Sequence, residues 1–173
     1  MVPAVIILIF AWSLKGVGDA LGIASFVEGI VGANASASVV IPAIMFAVAI
    51  FLAFSTGTSW GTFAILVPIV VAMFGTGANM EMMIIAVSAV LAGAVCGDHI
   101  SPISDTTVMS SAGAQCNHIN HVSTQMQYAI PVAGVCVVGY LIAGILQNWI
   151  VALGLSILIL VVVLEIIRSK SMK

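Results

Sequence analysis

Asp98 and Asp105 stand in the segment GDHISPISDTT, between the apolar runs Met83–Cys96 and Val108–Ala114. No other feature constrains the fold as strongly. Two carboxylates fall where a membrane span is due, and an ionised carboxylate at the bilayer centre costs about 2.5–3.5 kcal/mol on insertion scales. A chain carrying two of them must supply a water-lined cavity, a cation or a proton. The expectation is an ion or proton site inside a helical membrane protein.

Lipid is the implied solvent, because 62% of the 173 residues are hydrophobic and only six acidic and four basic residues occur. Mean hydropathy is +1.31. A soluble domain of this length cannot bury so much apolar surface. A net charge of −2 argues against nucleic acid as a partner. Cys96, Cys116 and Cys136 form no CxxC pair, and their odd number argues against a disulfide framework. The N-terminus does not read as a secretory signal, since Lys15 follows the first apolar run instead of preceding it. Residues 1–173 read as one transmembrane transporter domain. It is short for a complete transporter and apolar from Val2 onward, so it is expected to be the C-terminal part of a longer architecture or one partner in an assembly.

Val2–Leu14 is apolar but shorter than the roughly 20 residues that span a bilayer. It reads as a half-helix or the tail of a longer one. Residues 15–36 read as an amphipathic, interfacial stretch, with Lys15 and Asp19 spaced to pair on one helical face and Glu28 at the surface. Val39–Phe54 and Phe63–Phe74 flank the polar break STGTSWGT. A continuous helix over 39–74 would be about 54 Å long against a bilayer core of about 30 Å. The favoured reading is a re-entrant hairpin with its tip inside the membrane; a full span plus a re-entrant piece is the alternative. GTGANMEM is a turn, with Glu81 interfacial. Residues 83–114 read as one membrane helix unwound over GDHISPISDTT, and 115–127 as a polar loop. Tyr128–Leu146 and Trp149–Leu164 are spans joined at Gln147 and Asn148, with Trp149 an interfacial anchor. Arg168, Lys170 and Lys173 then place the C-terminus in the cytoplasm by the positive-inside rule. On that topology the turn at 147–148 lies outside and the hairpin opens outward.

A hairpin tip and a broken helix are the means by which many transporters expose backbone and hydroxyl oxygens at depth. The first break offers hydroxyls from Ser55, Thr56, Thr58, Ser59 and Thr62, with Gly57 and Gly61 allowing the chain to turn. The same residues also suit two packed helices whose hydroxyls bond back to their own carbonyls. In the second break Pro102 lacks an N–H, and its ring would clash with the Asp98 carbonyl of a continuing helix. Asp98, Asp105, Ser101, Ser104, Thr106 and Thr107 form an oxygen-rich set of the kind hard cations prefer. A solvated loop would explain the two aspartates equally simply, were it not for the apolar runs on both sides. Two carboxylates in one low-dielectric site do not both ionise cheaply, so a proton and a sodium ion compete for the same oxygens. His99 could relay a proton or act as a structural hydrogen-bonder. Cys116, His118 and His121 have no firm zinc spacing and read as residues of the polar loop.

Three stretches carry a resemblance: AWSLKGVGDALG (11–22), FSTGTSWGTFAILVPI (54–69) and GAVCGDHISPISDTTVMSSAGAQCNHINHVSTQMQYA (93–129). At these residues the chain resembles the NhaC-type sodium/proton antiporter family, within the wider ion-transporter superfamily. It is similar to the C-terminal part of that family. Members are usually longer and have two inverted repeats, each with a hairpin and a broken helix; this chain has one such set. The resemblance implies an all-α polytopic helix bundle with a re-entrant hairpin and a discontinuous membrane helix, one half of an inverted-repeat transporter. It implies sodium/proton exchange in the cell membrane with no cofactor. Some relatives resemble exchangers of malate with lactate, or of amino acids, so a small carboxylate is a further candidate cargo. Asp98, Asp105, Ser101, Ser104, Thr106, Ser55, Thr56, Thr58 and Ser59 are the implied ion or substrate site, with Asp98 and Asp105 as sodium ligands and His99 as a possible relay.

Secondary antiport is therefore the leading expectation, with Asp98→Asn and Asp105→Asn each abolishing exchange. Partners would be lipid, sodium, protons, and either the missing N-terminal half or a second copy. An intramembrane aspartyl protease also needs two membrane aspartates, but such a pair usually comes from separate helices. An inactive or split fragment is the third reading.

Overall fold

The computed structural model describes residues 35–74 and 80–171, together with Ser13, Val17 and Ala20. Apart from those three positions, the expectations for 2–34, the Lys15–Asp19 pair and Glu28 lie outside the described residues. So do most of the turn at 75–82 and Lys173. Six helices carry the described chain: α1 (Ala35–Thr56), α2 (Ser59–Phe74), α3 (Met80–Ile100), α4 (Asp105–Gly113), α5 (His118–Leu146) and α6 (Trp149–Ser171). No strand occurs among the described residues. Segments within α1, α3, α5 and α6 are long and apolar enough to cross a membrane; α2 is shorter. The fold is a polytopic membrane helix bundle.

Small residues set the packing. A Cβ added to Gly93 would run into the carbonyl oxygen of Phe46, and one added to Gly97 into that of Ile50. Backbones meet there because neither residue has a side chain, which is how membrane helices gain dispersion contact without a hydrophobic drive. The pairs 46/93 and 50/97 advance together, so α1 and α3 run parallel. Ala49, Ala53, Ala86 and Ala94 continue the seam, and Leu66, Val70 and Phe74 of α2 pack onto the same cluster.

That parallel pairing requires a return stroke, which α2 supplies. It starts beside the end of α3, where Gly57 lies against Ile103. It ends at Phe74, six residues before the start of α3 at Met80. The arms of the expected hairpin over 39–74 therefore run in opposite directions, with α1 itself long enough to span. Both arms lean on α3 more than on each other. α5 runs back along α1 and α3: a Cβ at Gly144 would strike the Val39 carbonyl, Tyr140 stacks on Phe46, and its hydroxyl lies 3.1 Å from Ser88. Gln147, left-handed at φ 49°, closes α5, and Asn148 accepts from the N–H groups of Ile150 and Val151 to open α6. This is the expected tight turn. α6 packs on α5 through Ala152 and Ser156 and presents most of its apolar surface outward.

Two expectations need correction. The unwound stretch is only Ser101–Ser104, not all of GDHISPISDTT. A proline disturbs the bond to the carbonyl four residues before it, but residues 98–100 still donate to carbonyls further back, so Asp98 and His99 stay helical. The polar segment 115–127 is not a loop either, since α5 begins at His118. Asn117 caps it by accepting from the Asn120 N–H at 3.1 Å, and polar side chains are no obstacle to a helix whose face is solvated.

Candidate functional site

The two polar breaks meet. The Ser101 hydroxyl, fully buried, donates to the Phe54 carbonyl at 2.7 Å. Phe54 lies in the last turn of α1, where carbonyls lack helical partners, so Ser101 satisfies an orphan. Gly57 sits at the hairpin tip with φ +68°, and a Cβ there would stand 2.8 Å from the Ile103 carbonyl oxygen. Ser101→Ala is expected to destabilise the chain by about 1–3 kcal/mol, the usual result of leaving a buried carbonyl unpaired. The thermal unfolding midpoint in detergent measures it, and an unchanged midpoint would mean the tie carries nothing.

Asp98 is the centre of the site. It is 4% exposed, in the last turn of α3. The Ser104 hydroxyl donates to its Oδ1 at 2.7 Å, and the Thr106 hydroxyl to its Oδ2 at 3.3 Å. Those two hydroxyls lie 2.6 Å apart. The Asp98 carbonyl, freed by Pro102, is taken up by the Ser101 N–H at 3.2 Å and the Thr107 hydroxyl at 3.3 Å. Thr107 also reaches the His99 carbonyl at 3.3 Å. Carboxylate, hydroxyls and carbonyls thus converge, and every one of these atoms is an oxygen.

Asp98 lies between the C-terminal turn of α3 and the N-terminal turn of α4, helix ends of opposite partial charge. Among the described residues it has no ion-pair partner; the ion pair found is Glu165 with Arg168 at 3.4 Å, on the exposed end of α6. A buried carboxyl group with oxygen neighbours and no basic side chain is chemically a site for a small cation or a proton.

The remaining candidates divide. Asp105 is exposed, and its Oδ1 accepts from the Thr106 N–H at 2.8 Å, in the first turn of α4. No hydrogen bond joins it to Asp98 among the described residues. Ser101 points to the hairpin and not to the Asp98 carboxylate. The tip hydroxyls are used locally: Thr56 donates to Leu52 O at 2.8 Å, while Thr58 caps Gly61 N at 3.4 Å and its carbonyl receives Thr62 at 3.1 Å. Ser55 is exposed and Ser59 half-buried. The tip therefore meets the break through backbone, not through its hydroxyls. His99 is exposed, its Nδ1 3.2 Å from the Val95 carbonyl of its own helix. No group of three His, Cys, Asp or Glu side chains placed to hold a metal occurs among the described residues, Cys116, His118 and His121 included. His118 instead contacts the break directly, Nε2 to the Pro102 carbonyl at 2.8 Å. Sequence reasoning missed that role, because nothing in the spacing of residues 102 and 118 announces a contact across a helix and a turn.

The sequence profile of the Na+/H+ antiporter family matches residues 1–145. An uncharacterized protein of Haemophilus influenzae is 40% identical over 170 residues, which is 98% of this chain and 32% of that protein. A malate-2H(+)/Na(+)-lactate antiporter of Bacillus subtilis is 31% identical over 94 residues, 54% of this chain and 20% of that protein. An uncharacterized Na(+)/H(+) antiporter of Haemophilus influenzae is 34% identical over 95 residues, again 20% of its length. The chain spans about a third or less of the length of these relatives. No solved structure matches. A profile match that takes in the hairpin, the broken helix and most of α5 shows that the chain belongs to the Na+/H+ antiporter family.

Proposed function

We propose that this chain carries the cation site of a sodium/proton antiporter, with Asp98 as the group that alternately holds sodium and a proton. The observation that carries the reading is the buried carboxylate without a basic partner, ringed by the Ser104 and Thr106 hydroxyls at the junction of hairpin and broken helix. With no proton on Asp98 the Ser104 and Thr106 hydroxyls donate to its two oxygens, as in the ring described, and in the proton-loaded form the carboxyl instead donates to one of those hydroxyls. In the sodium-loaded form, the hydroxyl protons turn away and the same oxygens face the ion, helped by the Asp98 and His99 carbonyls. Sodium and proton exclude each other because they use the same lone pairs. This is secondary transport, not enzymatic chemistry. An aspartyl protease needs two carboxylates sharing a proton, whereas Asp98 shares its bonds with hydroxyls.

The hairpin tip and the break lie within the membrane on this reading, with the C-terminus of α6 cytoplasmic because the basic residues cluster there. The set of helices acts as one half of an inverted-repeat transporter, and a further set, from another polypeptide or a second copy, completes the path. A small carboxylate is the alternative cargo, favoured by the likeness to the malate-2H(+)/Na(+)-lactate antiporter.

Sodium-dependent proton flux in everted vesicles tests the reading, and Asp105 supplies the sharper comparison. Being exposed, it helps attract the cation and does not cage it. Asp105→Asn is expected to raise the half-saturating sodium concentration by no more than about fivefold, the equivalent of roughly 1 kcal/mol for a solvent-screened charge. A loss as complete as that from Asp98→Asn would put Asp105 inside the cage.

A further inference from the structure

We infer that His118 is a positioning residue for the cation site: its imidazole holds the Pro102 carbonyl and so keeps the unwound strand Ser101–Ser104 in the shape that sets Ser104 against Asp98. The inference rests on the reading of Asp98 as the cation ligand and goes beyond it. A carbonyl only accepts, so the His118 nitrogen 2.8 Å from the Pro102 oxygen, Nε2, must carry the hydrogen. Nδ1 then faces the Ser111 hydroxyl at 3.0 Å. Ser111 is buried on α4, and its single hydroxyl hydrogen is shared between Nδ1 and the Val108 carbonyl at 2.9 Å, so the bond to Pro102 is the ring's main tie.

The local chain delivers His118 to this place. Gln115 turns left-handed at φ 53°, the Cys116 N–H reaches the Ser111 carbonyl at 3.1 Å, and Asn117 caps α5. His118 is consequently the first residue of α5, half-buried and aimed back over α4. An unwound strand of four residues has few internal bonds: Ser104 N–H to the Ser101 carbonyl at 3.4 Å is weak. Side chains hold it instead, from distinct directions: Ser101 ties it to the hairpin, Ser104 to Asp98 at the end of α3, and His118 reaches it from α5. Of these, His118 alone links the strand to α5. His121, one turn along, touches only α4 among these groups, through the Ser110 hydroxyl at 3.2 Å, and makes an internal control.

The test is amide hydrogen exchange of the full chain in nanodiscs, with sodium titrated against choline at constant ionic strength. Without sodium, His118→Ala is expected to speed exchange at Ile103 and Ser104 about tenfold, as expected for a lost hydrogen bond. The sodium concentration that half-protects residues 103–108 should rise about tenfold. His118→Gln, whose side-chain amide nitrogen can take the place of Nε2, should restore both within about twofold, and His121→Ala should leave both unchanged. An unchanged sodium midpoint in His118→Ala overturns the inference, as does a folded His118→Gln that fails to restore it. If Asp98→Asn keeps the sodium response of the parent chain, the Asp98 reading itself falls, and the sodium-free comparison at Ile103 and Ser104 then decides whether His118 positions the strand.

Discussion

Asp98→Asn is expected to abolish sodium-dependent proton movement while leaving the protein inserted and folded. Asparagine preserves the shape of the side chain and can still accept from Ser104 or Thr106, so the ring of hydrogen bonds largely survives. What disappears is the charge. A charge-assisted bond is worth up to about 3 kcal/mol, which converts to roughly a 100-fold loss of sodium affinity at the same oxygens. The proton-binding step is lost altogether, because an amide does not titrate in this range. Flux in everted vesicles should fall to the background of vesicles without the chain. Surface abundance and thermal midpoint, measured alongside, should stay close to those of the parent protein. Retained exchange would remove Asp98 from the mechanism.

Gly57→Ala is expected to give a large loss of stability for a single methyl group. Two costs coincide there. The backbone is left-handed at φ +68°, which penalises any side chain by roughly 1–2 kcal/mol. The added Cβ would also stand 2.8 Å from the oxygen and 2.9 Å from the carbon of the Ile103 carbonyl, and a carbonyl cannot move aside as a flexible side chain can. Overpacking of this kind adds about 1–3 kcal/mol. The hairpin tip should lift from the break, lowering the unfolding midpoint and weakening sodium binding together. Gly57→Asn separates the causes, since asparagine tolerates the left-handed region but still carries the Cβ. If both variants unfold like the parent chain, the tip does not bear on the break.

Much of this site was legible in the sequence because charge is conspicuous in an apolar chain. Asp98 stood out on cost alone, and Pro102 fixed where the helix had to fail. The length of the failure was less legible. Pro102 disrupts only the bond to Asp98, so α3 runs on to Ile100, and Asp98 presents its carboxylate from a helix, not from a loop. Asp98 and Asp105 looked equivalent in composition, yet one is buried and the other exposed, a difference set by which way α4 leaves the break. Residue type marks Ser101 and the tip hydroxyls as candidate ion or substrate ligands. Their partners are backbone groups 47 residues away in one case and local in the others, which residue type alone does not reveal. The helical stretch 118–127 was hidden by its polarity, and with it the contact of His118 with Pro102.

The central claim is that one buried carboxylate binds sodium and proton in turn. It is tested most directly by the sodium-induced shift of the thermal unfolding midpoint of the purified chain, with choline holding ionic strength constant, beside Asp98→Asn. A ligand at 100 times its dissociation constant stabilises by about 2.7 kcal/mol. A sodium-specific rise is expected in the parent chain, shrinking as the pH is lowered and absent from Asp98→Asn. An equal rise in both proteins, or a rise in the parent that is indifferent to pH, would contradict it.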